Sequence, residues 1–192
     1  MLVGGAATIN AGSGDIGLNR PTNDFSSVAL TGGHINLRDS SALTVSSLVR
    51  NGTNKNLRLV AGGSLSVAPV SIDAGIGQIE LRGGGVLSTP GQLTAGSIIL
   101  EGTGGINLTN NVILNGGLLE LAASSGSITQ SGGQISAPGG MQTLFSAAGV
   151  NVNLSAAGND FGEILGATGS LTLVDQNSIT VSSIGGGISS NA

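Results

Sequence analysis

One pattern of apolar residues, which we call the phrase, recurs along this chain at intervals of about 22 residues. This period is typical of stacked repeats, and it limits the folds that the chain can adopt. Each copy has two apolar residues two positions apart, a short polar gap, and then two more apolar residues. Because side chains alternate between the two faces of a strand, the phrase predicts short strands with one buried face. The copies begin at Ile35, Leu57, Ile79, Ile98, Leu119, Gln142 and Leu171, and a weaker copy begins near Thr8, with Ile16 and Leu18 as its second half.

A repeat of this length predicts a solenoid. One coil cannot bury its own apolar face, whereas stacked coils share a continuous core. The polar gaps are often rich in glycine, as in "VAGGS", "RGGGV" and "EGTGG", and glycine suits tight corners because it accepts positive φ. The sequence therefore predicts an all-β parallel solenoid of about 8–9 coils of ~22 residues, forming a single segment over residues 1–192.

Two coils are predicted to be longer than the others, near residues 8–34 and 142–170. Each contains the tripeptide Asn-Asp-Phe, and the two surrounding phrases align without a gap, which places Asp39 over Asp175. Asn and Asp hold turns by bonding to nearby backbone, so we expect an enlarged corner that a phenylalanine plugs. The distance along the sequence from Asn23 to Asn159 corresponds to close to six coils, which indicates a super-repeat of that length. The motif residues are Asn23, Asp24, Phe25, Asn159, Asp160 and Phe161.

Charged residues fall on outward positions of neighbouring coils. Stacking sets Arg58 beside Glu80 and Arg82 beside Glu101, and Glu120 extends the same outward surface. Opposite charges on adjacent strands attract, although an exposed pair contributes only about 0.2–1 kcal/mol. We interpret this charge ladder as a solvated structural feature, and a weak glycan contact is the alternative.

The composition excludes several function classes. Charged residues make up 8% of the chain and the net charge is −4, which gives no basic footprint for nucleic acid. There is no cysteine and only one histidine, so we predict no metal site and no cofactor. Few charges and many aliphatic residues also argue against disorder.

Phrases such as "INLRDSSALTV", "LRLVAGGSLSV" and "SLTLVDQNSITV" resemble the central repeats of filamentous haemagglutinin-like large exoproteins, the secreted partners of bacterial two-partner secretion. The resemblance covers essentially the whole chain. It implies a right-handed parallel β-helix that is secreted through an outer-membrane transporter and displayed on the bacterial cell surface. It also implies a role in adhesion, aggregation and biofilm formation, a secretion domain outside this sequence, and a chain that is one piece of a longer fibrous shaft.

Two other functions stay open at this point. A β-helix polysaccharide lyase or glycoside hydrolase needs clustered carboxylates beside Lys or Arg, and Glu80, Glu101 and Glu120 come closest to that pattern. An autotransporter passenger segment has the same fold and differs in its exporter. We expect a structural shaft segment and not an enzyme, with glycans or host and biofilm surfaces as partners. Open strand edges at its ends would favour end-to-end self-association.

Overall fold

The structure, a computed structural model, describes residues 2–188 and contains strands but no helix in that range. Nowhere in the described chain is there a helix with the length and apolar character needed to cross a membrane. The strands are β1 (Leu2–Asn10), β2 (Ile16–Leu18), β3 (Asp24–Gly32), β4 (Ile35–Asp39), β5 (Leu43–Arg50), β6 (Leu57–Ala61), β7 (Leu65–Val67), β8 (Ile72–Asp73), β9 (Gln78–Gly83), β10 (Leu87–Ser88), β11 (Leu93–Ala95), β12 (Ser97–Gly102), β13 (Ile106–Leu108), β14 (Val112–Leu114), β15 (Leu118–Ala122), β16 (Ile128–Gln130), β17 (Ile135–Leu154), β18 (Asp160–Leu173) and β19 (Thr180–Ile188).

The strand pairings of the described chain are parallel and join one coil to the next. One side of the coil, which we call side one, runs without interruption through β2, β4, β6, β9, β12, β15, the middle of β17, and the first parts of β18 and β19. Its register takes in Ile16, Ile35, Leu57, Ile79, Ile98, Leu119, Thr143, Ile164 and Val181, which makes eight steps from coil to coil. The predicted all-β parallel solenoid is confirmed.

Two shorter sides complete each coil. Side two contains the first part of β5, then β7, β10, β13, β16 and the ends of β17 and β18. Side three contains the second parts of β3 and β5, then β8, β11, β14 and the starts of β17 and β18. The middle coils have three short strands each, because a corner must separate each apolar pair from the next, whereas β17 and β18 each run through all three sides as one strand.

The core is a stack of aliphatic side chains. On side one, a single column holds Leu37, Leu59, Leu81, Leu100 and Leu121, and each of them is fully buried. Burying one such side chain stabilises the fold by about 1.5–3 kcal/mol.

The prediction of two long coils, at residues 8–34 and 142–170, is wrong. Ile16 pairs with Ile35, so it begins side one of its own coil. Ile164 pairs with Thr143 and begins another coil, whereas Leu171 pairs with Val152 on side two. The pattern misled because "GATGS" after Ile164 carries no large apolar residue, while the strong phrase at Leu171 lies on a different side.

The copy predicted to begin at Gln142 is displaced by one residue. Thr143 and Phe145 face the core with 0% and 1% exposure, and Leu144 is only partly buried. Gln142 pairs with Leu118 at the edge of the rung. Leu144 is apolar, so the sequence pattern assigned Gln142 and Leu144 to the buried face. The structure buries Thr143 and Phe145 instead, because burying the larger aromatic ring of Phe145 removes more apolar surface from water than burying Leu144 would.

The hydrogen-bonded ladder is broken at one level of the solenoid. On side two, β7 pairs with β5 above it, and β10 pairs with β13 below it, so a four-stranded sheet (β1, β3, β5, β7) ends there. On side three, β8 pairs with β11, and the described chain has no ladder between β5 and β8. Side one continues through this level without a gap.

Candidate functional site

The charge ladder forms a connected row of ions on side one. Arg58 Nε lies 3.0 Å from Glu80 Oε2, and Arg82 Nε lies 2.7 Å from Glu80 Oε1. Arg82 Nη1 also pairs with Glu101 Oε2. Both neighbour pairs predicted from the sequence are confirmed, and the bond between Arg82 and Glu80 within one strand joins them.

The charges of this ladder satisfy each other. Glu80 uses both carboxylate oxygens on arginines and is only 8% exposed. Burial lowers the pKa of Arg82, but the bonds and charges of Glu80 and Glu101 outweigh it and raise that pKa overall. Two cations facing two anions leave little net charge for a ligand to recognise.

Glu120 does not join the ladder. In its outward column it lies between Ile99 and Leu144, neither of which is charged. Its Oε1 instead accepts the hydroxyl of Ser146 at 2.8 Å. Glu120 thus lies in the same outward column as Arg58 and Glu80, as predicted, and Ile99 separates it from their ion pair.

The first Asn-Asp-Phe motif closes a short corner between β2 and β3. Asn23 Nδ2 donates to the carbonyl of Leu18 at 2.8 Å, and the carbonyl of Asn23 accepts the N–H of Ser40. The N–H of Phe25 donates to Oδ1 of Asp39 at 2.6 Å. Phe25 is fully buried and fills the corner, and Asn23 bonds the backbone, as predicted. The carboxylate that bonds the backbone is that of Asp39, whereas Asp24 accepts the hydroxyl of Ser41.

The second motif repeats these three bonds. Asn159 Nδ2 donates to the carbonyl of Leu154 at 3.1 Å, and the carbonyl of Asn159 accepts the N–H of Gln176. The N–H of Phe161 donates to Oδ1 of Asp175 at 2.8 Å. Every partner is displaced from its counterpart by the same offset that separates the two motifs. Sequence reasoning aligned the two aspartates but assigned them no role.

The two motifs nevertheless lie on different sides of the solenoid. Leu18 ends a side-one strand, whereas Leu154 ends a side-two strand. Six coils below Leu18 the chain is at Phe145, well before Leu154. The predicted super-repeat of six coils is therefore wrong: the offset is six coils plus one side. The motif is a corner device that works at either corner.

A groove lies at the break in the ladder, between β7 and β10. Its volume is about 520 Å³, and its lining contains no charged residue. Pro69 and Pro90 occupy matching places in two successive coils, and proline has no N–H to donate to a ladder. This pair of prolines is the sequence signal that could have revealed the groove. The lining includes Ser64, Ser66, Val67, Val86, Ser88, Thr89, Thr109 and Asn110.

The described residues hold no group of three or more His, Cys, Asp or Glu side chains that could bind a metal ion. The single histidine, His34, accepts the backbone N–H of Asn56 on Nδ1 at 3.0 Å. Its ring therefore serves a corner of the solenoid.

A family described as repeats of unknown function (DUF5649) matches residues 1–32 and 95–168, which is more than half of the chain. No curated protein and no solved structure matches this chain. The interval between the two matched segments contains Arg58, Glu80 and Arg82 of the ladder, and also Pro69 and Pro90 of the groove.

Proposed function

The chain belongs to the family of repeats of unknown function (DUF5649), and from that premise we propose that it is a structural segment in the shaft of a secreted bacterial surface fibre. A solenoid of stacked repeats is consistent with a structural repeat protein. The finer role, as part of an adhesin in cell adhesion, aggregation and biofilm formation, is our proposal.

The observation that carries this proposal is the uninterrupted ladder of side one. It runs from Ile16 to Val181, and every interior rung bonds to the rung above and the rung below. Such a ladder resists separation along the whole length of a rod, because each coil is held by its neighbours. A shaft needs this continuity, whereas a catalytic site needs only a few coils.

The surface supports a structural role over an enzymatic one. A general acid or base must have a carboxyl that can reach the substrate proton. Arginines occupy both carboxylate oxygens of Glu80, and Glu101 pairs with Arg82. Glu120 takes no part in these pairs and accepts the hydroxyl of Ser146. A polysaccharide lyase or glycoside hydrolase would be supported instead if the protein cleaved a polysaccharide and Glu80→Gln or Glu101→Gln abolished the cleavage.

Export and contact with surfaces complete the proposal. We propose that an outer-membrane transporter of two-partner secretion exports the parent protein through a domain outside this sequence. The fibre then contacts glycans or host and biofilm surfaces at the cell surface. An autotransporter passenger would share the fold and use a covalently attached translocator. Sequencing the gene on both sides of this segment distinguishes the two exporters.

Immunogold electron microscopy of intact source cells tests the proposal directly. Antibodies raised against residues 1–192 should label surface fibres without permeabilising the cells. A deletion of the gene should remove both the label and the binding of the cells to a biofilm surface. Label that appears only after permeabilisation would contradict a surface location.

A further inference from the structure

The break in the ladder leaves a seam through two of the three sides of the solenoid. The seam separates β7 from β10 on side two and β5 from β8 on side three. The chain crosses it at Pro69. Before that point Ala68 donates its N–H to Val45 above, and after it Ile72 donates its N–H to Gln92 below. One coil is thus shared between two sheets.

Side chains take over from the ladder at the far end of the seam. Arg50, at the end of β5, donates from Nη1 to the carbonyl of Asp73 in β8 at 3.0 Å. Its Nη2 donates to the carbonyl of Lys55. Arg50 thus connects the upper sheet to the lower one through its side chain. In other coils this connection is made by hydrogen bonds between paired backbones.

Two asparagines in the loop after β5 support the same connection. Oδ1 of Asn54 accepts the N–H of Ile76 at 3.1 Å, and Oδ1 of Asn56 accepts the N–H of Gln78 at 2.9 Å. We call Arg50, Asn54 and Asn56 the clasp. Gly75 lies against it with φ of 59°, and a Cβ at Gly75 would collide with Asn54 Oδ1. The clasp therefore depends on close approach of two backbones.

The clasp is weaker than a ladder. Nε of Arg50 is buried and has no hydrogen-bond partner, and burial lowers the pKa of the guanidinium. Three long or polar side chains must also be held in one geometry, which costs rotamer freedom that a backbone ladder does not lose. The groove beside β7 leaves an open space between the two coils on side two.

We propose that the seam opens locally while side one stays intact, so that the solenoid bends about side one, and that Arg50 of the clasp holds the seam closed. Regions with few buried contacts and few backbone pairs open at lower free energy than the rest of a fold. The seam is a property of this fold and does not depend on export or adhesion. In a rod it would provide one compliant point in an otherwise stiff stack.

Paired spin labels test the opening, because the chain has no cysteine of its own. The double variant Ser66→Cys/Ser88→Cys places labels on exposed positions on both sides of the seam. Its matched control is Thr44→Cys/Ser66→Cys, since Thr44 and Ser66 are both exposed and pair in an intact ladder. Dipolar broadening in continuous-wave electron paramagnetic resonance reports the distance between the labels.

We expect the seam pair to be about 2–5 Å farther apart than the ladder pair, up to one additional strand spacing, with a wider distribution. Adding Arg50→Met should widen the seam pair further and leave the ladder pair unchanged. A seam pair as close and as narrow as the ladder pair would overturn the proposal. So would a seam pair that Arg50→Met does not move, since the clasp would then not control it. Should Arg50→Met fail to fold, Arg50→Lys keeps the charge, loses the two-pronged bond, and answers the same question.

Discussion

The carboxylate of Asp175 accepts the backbone N–H of Phe161 at 2.8 Å, one coil away from it. The same carboxylate accepts the N–H of Asn177 through its other oxygen at 3.1 Å. Asp39 holds Phe25 and Ser41 in the same way. Each aspartate thus joins a corner to the corner of the next coil, and this relationship explains why the surrounding phrase occurs twice.

We expect Asp39→Ala to destabilise the fold by about 2–3 kcal/mol. The buried carboxylate accepts two backbone N–H bonds, and bonds to a charged group contribute about 1.5–3 kcal/mol each, with partial compensation by water. Urea unfolding measures the loss. The control Asp15→Ala removes a carboxylate at an exposed position and should cost less. Equal stability of Asp39→Ala and the native chain would show that the carboxylate does not hold the corner.

Phe161→Ala should cost about 3–5 kcal/mol, because it removes a fully buried ring and leaves a cavity. Phe161→Leu should cost less, since leucine refills part of the volume. Thermal unfolding followed by circular dichroism compares the two variants. A melting temperature that Phe161→Ala leaves unchanged would rule out phenylalanine as the filling of the corner.

Thr143→Val should stabilise the protein by about 1–3 kcal/mol, because replacing a buried unpaired hydroxyl by a methyl group of similar shape removes a desolvation penalty. Oγ1 of Thr143 is buried without a hydrogen-bond partner, and the neighbouring coils place aliphatic residues in its column on side one. The control Thr44→Val lies at an exposed position and should change the free energy of unfolding by less than about 0.5 kcal/mol. Destabilisation by Thr143→Val would mean that the hydroxyl has a partner.

The lower coils should weaken in acid through Glu163. Hydrogen bonds from Ser182 and Gln142, on the rungs below and above, lower the pKa of the Glu163 carboxyl. A lowered pKa stabilises the folded state above the ordinary glutamate value of about 4.3, and that stabilisation is lost as the pH falls through the folded-state pKa. Carbon-13 NMR titration of Glu163 should give a pKa below about 4.3. Gln142→Ala should raise it, and an unshifted titration would contradict the bridging role.

The solenoid and the charge pairs could be predicted because they depend on neighbouring coils of similar length. Arg58 and Glu80 are separated by the same number of residues as Leu57 and Ile79, so one register fixes both. The side of the coil could not be predicted, since the phrase at Leu171 fits side one and side two equally well. Only the pairing of Ile164 with Thr143 decides between them.

The break in the ladder could not be predicted from the periodic pattern of apolar residues. Pro69 and Pro90, which have no backbone N–H, line the groove at the break, and periodic apolar patterns do not register missing donors. Arg50 and Asn54 gave no signal because they are not apolar and belong to no repeated phrase. Their partners are backbone groups of the next coil, which a sequence pattern does not identify.

The parallel rungs of this solenoid stack in the register that pairs Glu120 with Leu144 and turns Thr143 into the core. Cross-linking with a short bifunctional thiol reagent tests it most directly in a chain without native cysteine. Glu120→Cys/Leu144→Cys should cross-link within one chain, because the two side chains leave adjacent strands on the same face. Glu120→Cys/Thr143→Cys should not cross-link, because its side chains point to opposite faces. Efficient cross-linking of the second pair, with none of the first, would contradict the stacking of this solenoid.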